Sequence, residues 1–400
     1  MSASRSKPTE IRALSGARAF PPLILVLYHF GEGHHYQNAF VYDALVAKGY
    51  LWVEFFFALS GFILVHVYGR QPSSIPTSPQ GGGFKYFDFL KARLARLYPL
   101  HLFMLLAMLA LIVGLRWLAS IGGYVSIYDL PYHPINTLPS FILNLLLVQA
   151  WNVLPYLTWN GASWFVSVEF LLCLLFPLYL AVSRGGFWRA AILIVAGAAA
   201  LAFLAQTSGH GLDLTFENGI FRGMAGFAIG VGLSMLYREA MARGAAGLPE
   251  GLFTLAQAAT VLLLLDAIYR TSWAHKPDDI YVALAMDGLI LALAFDRGML
   301  ARALSTRPVL KLGEWSYAIY MGQTFFLQFI RYLEQRWYPP GDAIVLGRRW
   351  ADLIWWTEPL ALLCVCIAWG ALLAILIEQP ANGWLRTRMR RGPHASTSSA

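Results

Sequence analysis

Of the 400 residues, 58% are hydrophobic and 13% are charged, which is well below the roughly 25% charged share of soluble domains and excludes an ordinary soluble protein. Apolar stretches recur along nearly the whole chain, so no soluble block of the usual ~100 residues is left for a second domain. The net charge of +8 fits the Lys and Arg enrichment of cytoplasmic loops in membrane proteins, and no nucleic-acid partner is predicted.

The apolar pattern predicts an all-α fold, a polytopic membrane helix bundle with about ten transmembrane helices. A shorter apolar run at 141–148 lacks the ~20 residues that a spanning helix needs, so we expect an interfacial or re-entrant piece there. The ten expected spans cover residues 20–30, 51–67, 100–115, 164–182, 187–204, 220–236, 252–269, 280–295, 315–329 and 360–377.

Loop charges predict the topology. With the amino terminus inside, cytoplasmic segments carry 21 Lys and Arg residues against eight on the opposite side, so both termini are predicted to be cytoplasmic. We expect a membrane domain over 1–380, beginning with a signal anchor, and a disordered basic tail over 381–400. The cysteines Cys173, Cys364 and Cys366 lie in apolar segments without zinc-ligand spacing, and no metal is predicted.

The first apolar segment carries two ionisable residues, Arg18 and His29, eleven positions apart. On one continuous helix such a step is about three turns, which places both side chains on one face roughly 16 Å apart. Pro21 and Pro22 suit the first turn of a helix, and in that alternative Arg18 belongs to the approach segment. His29 can take a proton from a hydroxyl and return it, or it can be a neutral histidine bridging two helices.

Three further charged residues could serve an active site near His29. Glu54, in an otherwise apolar run, could orient the imidazole or could simply meet water at the end of its helix. Arg93 and Arg96 lie three apart on one helix face just before an apolar stretch. They could grip the phosphates of a cofactor or anchor the helix at lipid headgroups.

Four polar residues in later spans are additional candidates: Ser167, Glu169, Arg222 and Tyr320. Glu169 could alternatively cap its helix, and Arg222 needs a partner or a water-filled cavity. Helix packing and interhelical hydrogen bonds explain Tyr320 equally well. No P-loop, dinucleotide fingerprint, HExxH or GxSxG motif is present, so the sequence gives no support for nucleotide, zinc-protease or serine-hydrolase chemistry.

Seven segments in order give the chain its resemblance to a known family: RAFPPLILVLYHF, GYLWVEFFFALSGFIL, FLKARLARLYP, SWFVSVEFLLCLLFP, FRGMAGFAIG, LGEWSYAIYM and IEQP. From about residue 12 to 380 the chain resembles the membrane acyltransferase 3 family, whose bacterial members acylate cell-envelope carbohydrates.

The family's Arg and His signature falls on Arg18 and His29, and its paired basic positions fall on Arg93 and Arg96. Its acidic position, usually Asp, is Glu54 here. The family's Ser and Glu patch matches Ser167 and Glu169.

Two features depart from many relatives. Gln323 stands where they carry a His, so no proton relay is expected at that position. The fused extracytoplasmic hydrolase domain of some relatives is absent from these 400 residues, so the membrane domain is expected to act alone or with a separate periplasmic or glycan-assembly partner.

The resemblance implies an O-acyltransferase of the bacterial inner membrane that moves acetyl, from acetyl-CoA on the cytoplasmic side, to a sugar hydroxyl of an exopolysaccharide or another envelope glycan. Arg18, Arg93 and Arg96 would hold coenzyme A phosphates, and His29, supported by Glu54, would deprotonate the acceptor. The alternative is a transporter or flippase for a glycan intermediate, although inverted repeats are not visible. A structural membrane subunit is a third possibility. Direct transfer and transfer through a covalent intermediate both stay open.

Overall fold

The structure is a computed structural model, and it describes residues 10–31, 46–69, 84–123, 135–273, 276–337 and 357–390. Within these ranges every regular element is a helix. The α-helices are α1 (Arg12–Ala17), α2 (Phe20–Gly31), α3 (Trp52–Tyr68), α4 (Tyr86–Gly122), α5 (Leu138–Leu145), α6 (Ser163–Val182), α7 (Phe187–Thr207), α8 (Gly219–Ala242), α9 (Glu250–Trp273), α10 (Asp279–Ala294), α11 (Met299–Leu304), α12 (Arg307–Trp337), α13 (Thr357–Leu373) and α14 (Gln379–Arg390).

Each of the ten predicted apolar segments overlaps one of these helices, and seven helices of the described chain are long and apolar enough to cross a membrane. The other three predicted spans lie in α2, with 12 residues, α10, with 16 residues, and the more polar α12. The expected number of about ten spanning helices is therefore not reached by length and composition. The 141–148 run lies around α5, an eight-residue helix that is too short to span.

The chain divides into two compact units, of which unit 1 comprises Met1–Phe84 and Leu174–Ser316. Its helices α3, α7 and α8 pack closely along their lengths. A side-chain carbon on Gly230 would collide with the carbonyl of Ala58, and one on Gly61 would collide with the carbonyl of Phe227. Glycine is therefore required for the backbones of α3 and α8 to approach this closely, as in membrane helix pairs.

The short helix α1 is fixed to the rest of unit 1 at its beginning and along its side. The backbone N–H of Ala13 donates to Asp296 Oδ1 at 2.7 Å, which satisfies one of the amide groups left open at a helix start. A side-chain carbon on Gly16 would collide with the carbonyl of Leu304. These contacts hold in place the segment that ends in Arg18.

Unit 2 comprises Lys85–Cys173 and Tyr317–Ala400. It contains α4, a 37-residue helix that continues through Pro99, and a π-helical turn at Ala374–Glu378, a feature frequent at functional sites. The π-turn leads into α14, so residues 381–390, which were expected to belong to a disordered tail, form a helix. The rest of that tail lies outside the described residues.

Candidate active site

Arg18 and His29 lie on different helices. Arg18 follows the end of α1, and α2 begins at Phe20 with Pro21 and Pro22 in its first turn. The chain therefore adopts the alternative in which Arg18 precedes the helix of His29, and the shared face on one continuous helix is not formed. The prolines explain the break, because their fixed backbone angle and missing N–H suit a helix start.

His29 is half-buried in the last turn of α2, beside an aromatic pair. Its ring centroid lies 5.1 Å from that of Tyr28, which in turn lies 5.7 Å from that of Tyr50. Tyr28 also rests directly on Gly49, where any side-chain carbon would collide with the Cβ of Tyr28. The backbone before α3 thus forms the surface against which the residue preceding His29 is held.

That backbone is fixed by a buried charged network around Asp279. Lys48 Nζ lies 2.6 Å from Asp279 Oδ1, and the Tyr50 hydroxyl donates to Asp279 Oδ2 at 2.8 Å. The backbone N–H of Leu212 donates to the same oxygen at 2.9 Å. Lys48 and Asp279 are 5% and 0% exposed, so the charges stabilise the structure only because each is bonded to the other.

Glu54 pairs with Arg222, which meets the expectation that a buried arginine needs a partner. Arg222 Nε donates to Glu54 Oε1, while Nη1 and Nη2 donate to the carbonyls of Leu214 and Tyr50 at 2.9 and 2.8 Å. Within the described chain Glu54 Oε2 accepts no hydrogen bond. The bonded partner of Glu54 is therefore Arg222, and a chain of contacts leads from Arg222 through Tyr50 and Tyr28 to the imidazole of His29.

The second group of candidates lies in unit 2, on successive turns of α4. Arg93 and Arg96 are half-buried, and the Arg93 guanidinium lies 5.7 Å from the ring centroid of Phe89. Arg96 experiences the attraction of Glu169 and Glu378, yet it forms no hydrogen bond or ion pair in the described part of the chain. Within the described residues, the Arg96 guanidinium N–H groups are therefore not bonded to a protein acceptor.

Two of the remaining candidates have structural contacts. The Ser167 hydroxyl donates to the Leu147 carbonyl at 2.8 Å and accepts from the Ala150 N–H at 3.2 Å. The Tyr320 ring packs edge-on against Phe165, with centroids 5.8 Å apart. These contacts give Ser167 a role in holding the α5–α6 connection against α6.

Sequence reasoning missed several buried polar residues: Lys48, Asp279, Gln149, Asn160 and Asp287. Asp287 occurs in an apolar run where a carboxylate is costly, and that cost is a signal that identifies it, whereas Asp279 directly precedes the run. Gln149 and Asn160 lie in the connection between α5 and α6, and no sequence pattern separates them from other loop residues. Among the described residues, no group of three or more His, Cys, Asp or Glu side chains could hold a metal ion.

The fold and these buried charges define an integral membrane protein built from helices. A family model described as "Acyltransferase domain" matches residues 11–377, and the chain belongs to this family, the acyltransferase 3 family. Membership supports an enzyme that acts as an acyltransferase.

Two curated proteins can be aligned with the chain. Acyltransferase MdmB of Streptomyces mycarofaciens is 28% identical over 411 aligned positions, which cover 96% of this chain and 94% of the relative. Protein 2 in picA locus of Rhizobium radiobacter is 35% identical over 165 residues, which cover 41% of this chain and 76% of the relative. No solved structure shows a significant match.

Proposed function

We propose that the protein is an acyl-CoA-dependent O-acyltransferase that moves acetyl from acetyl-CoA to a sugar hydroxyl of an exopolysaccharide or another envelope glycan, at the bacterial inner membrane. One observation carries the donor part of this proposal: Arg93 and Arg96 are half-buried and bind no carboxylate within the described residues. Coenzyme A carries a pyrophosphate and a ribose phosphate, and guanidinium groups bind phosphate oxygens with paired N–H donors.

The neighbouring carboxylates are compatible with this role. Glu169 and Glu378 offset part of the charge on the Arg96 guanidinium, and no hydrogen bond joins them to it within the described residues. This nearby negative charge lowers the electrostatic cost of keeping a half-buried arginine in the folded protein before the donor binds. Arg18, half-buried between α1 and α2, is the third cation that we assign to coenzyme A phosphates.

His29 supplies the base. Its imidazole takes the proton of the acceptor hydroxyl while the oxygen attacks the thioester carbonyl carbon. A new C–O ester bond forms, the C–S bond breaks, and the coenzyme A thiolate leaves with the proton returned by the imidazolium. Glu54 acts in this scheme as a positioning residue, since Arg222 joins its carboxylate to the carbonyl of Tyr50 beside Tyr28.

The test is transfer or hydrolysis from radiolabelled acetyl-CoA by the purified protein in vesicles. Base catalysis contributes about 10²- to 10⁴-fold, so His29→Ala is expected to lower kcat by that factor while thermal unfolding stays unchanged. Arg93→Ala is expected to raise the KM for acetyl-CoA by about tenfold to a hundredfold, because a charged hydrogen bond to phosphate is lost.

Arg243→Ala is the matched control, because it removes an arginine that is 70% exposed and paired with Glu239 four residues earlier. It should leave both kinetic constants unchanged. Full turnover in His29→Ala would exclude the imidazole as the base. An unchanged KM in both Arg93→Ala and Arg96→Ala would exclude the phosphate site.

A further inference from the structure

The connection between α5 and α6, residues 146–162, has an unusual backbone. Three non-glycine residues in it adopt left-handed angles, Leu147 with φ 60°, Asn152 with φ 57° and Trp159 with φ 53°. Only two other non-glycine residues in the described chain do so. Such conformations cost about 1–3 kcal/mol each and persist where surrounding contacts enforce them, often at ligand sites.

Buried hydrogen bonds hold the backbone of this connection in place. Asn144 Nδ2 donates to Thr158 Oγ1 at 2.7 Å, and the Ser163 hydroxyl donates to Asn144 Oδ1 at 3.2 Å. Gln149 Nε2 donates to the Ser163 carbonyl at 3.1 Å. The four side chains are each at most 5% exposed, so these bonds fix the two ends of the connection inside unit 2.

Two oxygens of this region are left without a donor. Within the described residues, Gln149 Oε1 and Asn160 Oδ1 are buried and accept no hydrogen bond. Their identity as oxygens follows from their partners, because each amide nitrogen donates to a backbone carbonyl, that of Ser163 for Gln149 and that of Met321 for Asn160. A flipped amide would place two acceptors against each other, so both free atoms are acceptors.

Both amide side chains belong to residues that are bonded to Ser163, the first residue of α6. The backbone N–H of Ser163 donates to the Asn160 carbonyl at 2.9 Å, and the Gln149 amide is bound to that same Ser163. Gln149 is 5% exposed and Asn160 is 1% exposed. A buried amide oxygen without a donor costs free energy, and a donor-bearing ligand would remove that cost.

We propose that Gln149 and Asn160 form a subsite for the acyl acceptor, in which their amide oxygens accept hydrogen bonds from neighbouring hydroxyl groups of a polyhydroxylated molecule. This assignment rests on the proposed function and adds acceptor-binding residues to it. Amide oxygens accept hydrogen bonds from hydroxyl groups, and a polyhydroxylated ligand can supply a separate O–H to each of the two oxygens beside the start of α6. A partner with a single hydroxyl would leave one oxygen unpaired, and this penalty gives the subsite its specificity.

Binding of simple sugars to the full-length protein in detergent tests this subsite without any acyl transfer. The probes are methyl glycosides of glucose, galactose, mannose and rhamnose, with cyclohexanol as the single-hydroxyl control. At least one glycoside is expected to raise the thermal unfolding midpoint in a saturable manner. Gln149→Leu and Asn160→Leu are each expected to weaken that binding by about threefold to tenfold, the contribution of one hydrogen bond.

Asn144→Ala is the matched control, because both amide atoms of Asn144 are already bonded inside the protein. This variant should lower the unfolding midpoint and keep the glycoside affinity. In acetyl transfer, Gln149→Leu should raise the KM for the acceptor while the KM for acetyl-CoA stays constant.

Absence of saturable binding with all four glycosides, or equal binding by both leucine variants, would overturn the subsite and would assign the two oxygens to ordered water. If donor turnover is intact, that binding result overturns the subsite and leaves the proposed activity standing. Glycoside binding without donor turnover would instead overturn the proposed activity and leave the subsite standing.

Discussion

Buried polar groups of the two units differ in whether they have a bonding partner. In unit 1 two pairs of buried charges are bonded to one another, Arg222 to Glu54 and Lys48 to Asp279, and Arg222 and Asp279 also bind a backbone carbonyl and an N–H group. In the described part of unit 2, by contrast, Arg96 has no bonded anion, and Gln323 has neither amide atom satisfied while only 1% exposed.

The difference separates structural polar groups from groups prepared for a ligand. A buried ion pair whose members are bonded holds a backbone geometry, and removing one partner leaves an uncompensated charge. A buried polar group without a partner is already desolvated in the folded protein. A ligand that supplies the missing partner therefore gains binding free energy. By this reasoning the bonded pairs of unit 1 are structural, whereas Arg96 and Gln323 of unit 2 are groups that we expect to bind a ligand.

The largest stability effect is expected from the buried pair of unit 1. Arg222→Met leaves the Glu54 carboxylate without its partner and should lower the free energy of unfolding by about 3–5 kcal/mol. The double variant Glu54→Leu with Arg222→Met should regain part of that loss, because no charge is left buried. Recovery stays incomplete, since the carbonyls of Tyr50 and Leu214 still lack their donor. Denaturant unfolding in detergent measures both.

The matched change in unit 2 is Arg96→Met, which deprives no described group of a bonded partner. It should cost less than about 1 kcal/mol of stability, as surface-like substitutions do. A loss from Arg96→Met as large as that from Arg222→Met would break the distinction between a structural unit and a ligand-binding unit.

Much of the helix content follows from the sequence, because long apolar runs leave few alternatives in a membrane. The break between Arg18 and His29 could also be foreseen, since Pro21 and Pro22 can only begin a helix without disruption. The bonding partners of the buried charges could not be predicted from the sequence. The sequence suggests that Glu54 supports His29 or meets water, and it gives no sign of the bond to Arg222, which lies 168 positions further along the chain and depends on tertiary packing that no local spacing encodes.

The acceptor subsite was also invisible at the level of sequence. Gln149 and Asn160 differ from ordinary loop residues only in that each has one atom bonded and one atom free, and this depends on the backbone positions of Ser163 and Met321. The polar residues 381–390 suggest disorder, yet they belong to α14, the helix that follows the π-turn.

A moderate effect is expected from helix packing. Gly230→Ala in unit 1 would drive a methyl group into the Ala58 carbonyl, so α3 and α8 must separate and the free energy of unfolding should fall by about 1–3 kcal/mol. Gly114→Ala in unit 2 meets no atom within 4 Å and should leave stability unchanged or slightly higher, because alanine favours helix. Equal losses at both positions would show that close backbone approach does not govern stability in unit 1.

The smallest expected effect separates the framework of unit 1 from its chemistry. Tyr50→Phe removes one hydroxyl that donates to Asp279 and accepts from Lys48, but it keeps the ring on which Tyr28 packs. The free energy of unfolding should fall by about 0.5–1.5 kcal/mol, the net contribution of such a bond. Acetyl transfer should stay within about twofold of wild type, because the Lys48–Asp279 pair and the aromatic contact still hold the backbone beside His29. If turnover instead fell more than about tenfold at unchanged stability, the hydroxyl would belong to the reacting groups, and the network around Asp279 would have to be counted as part of the active site.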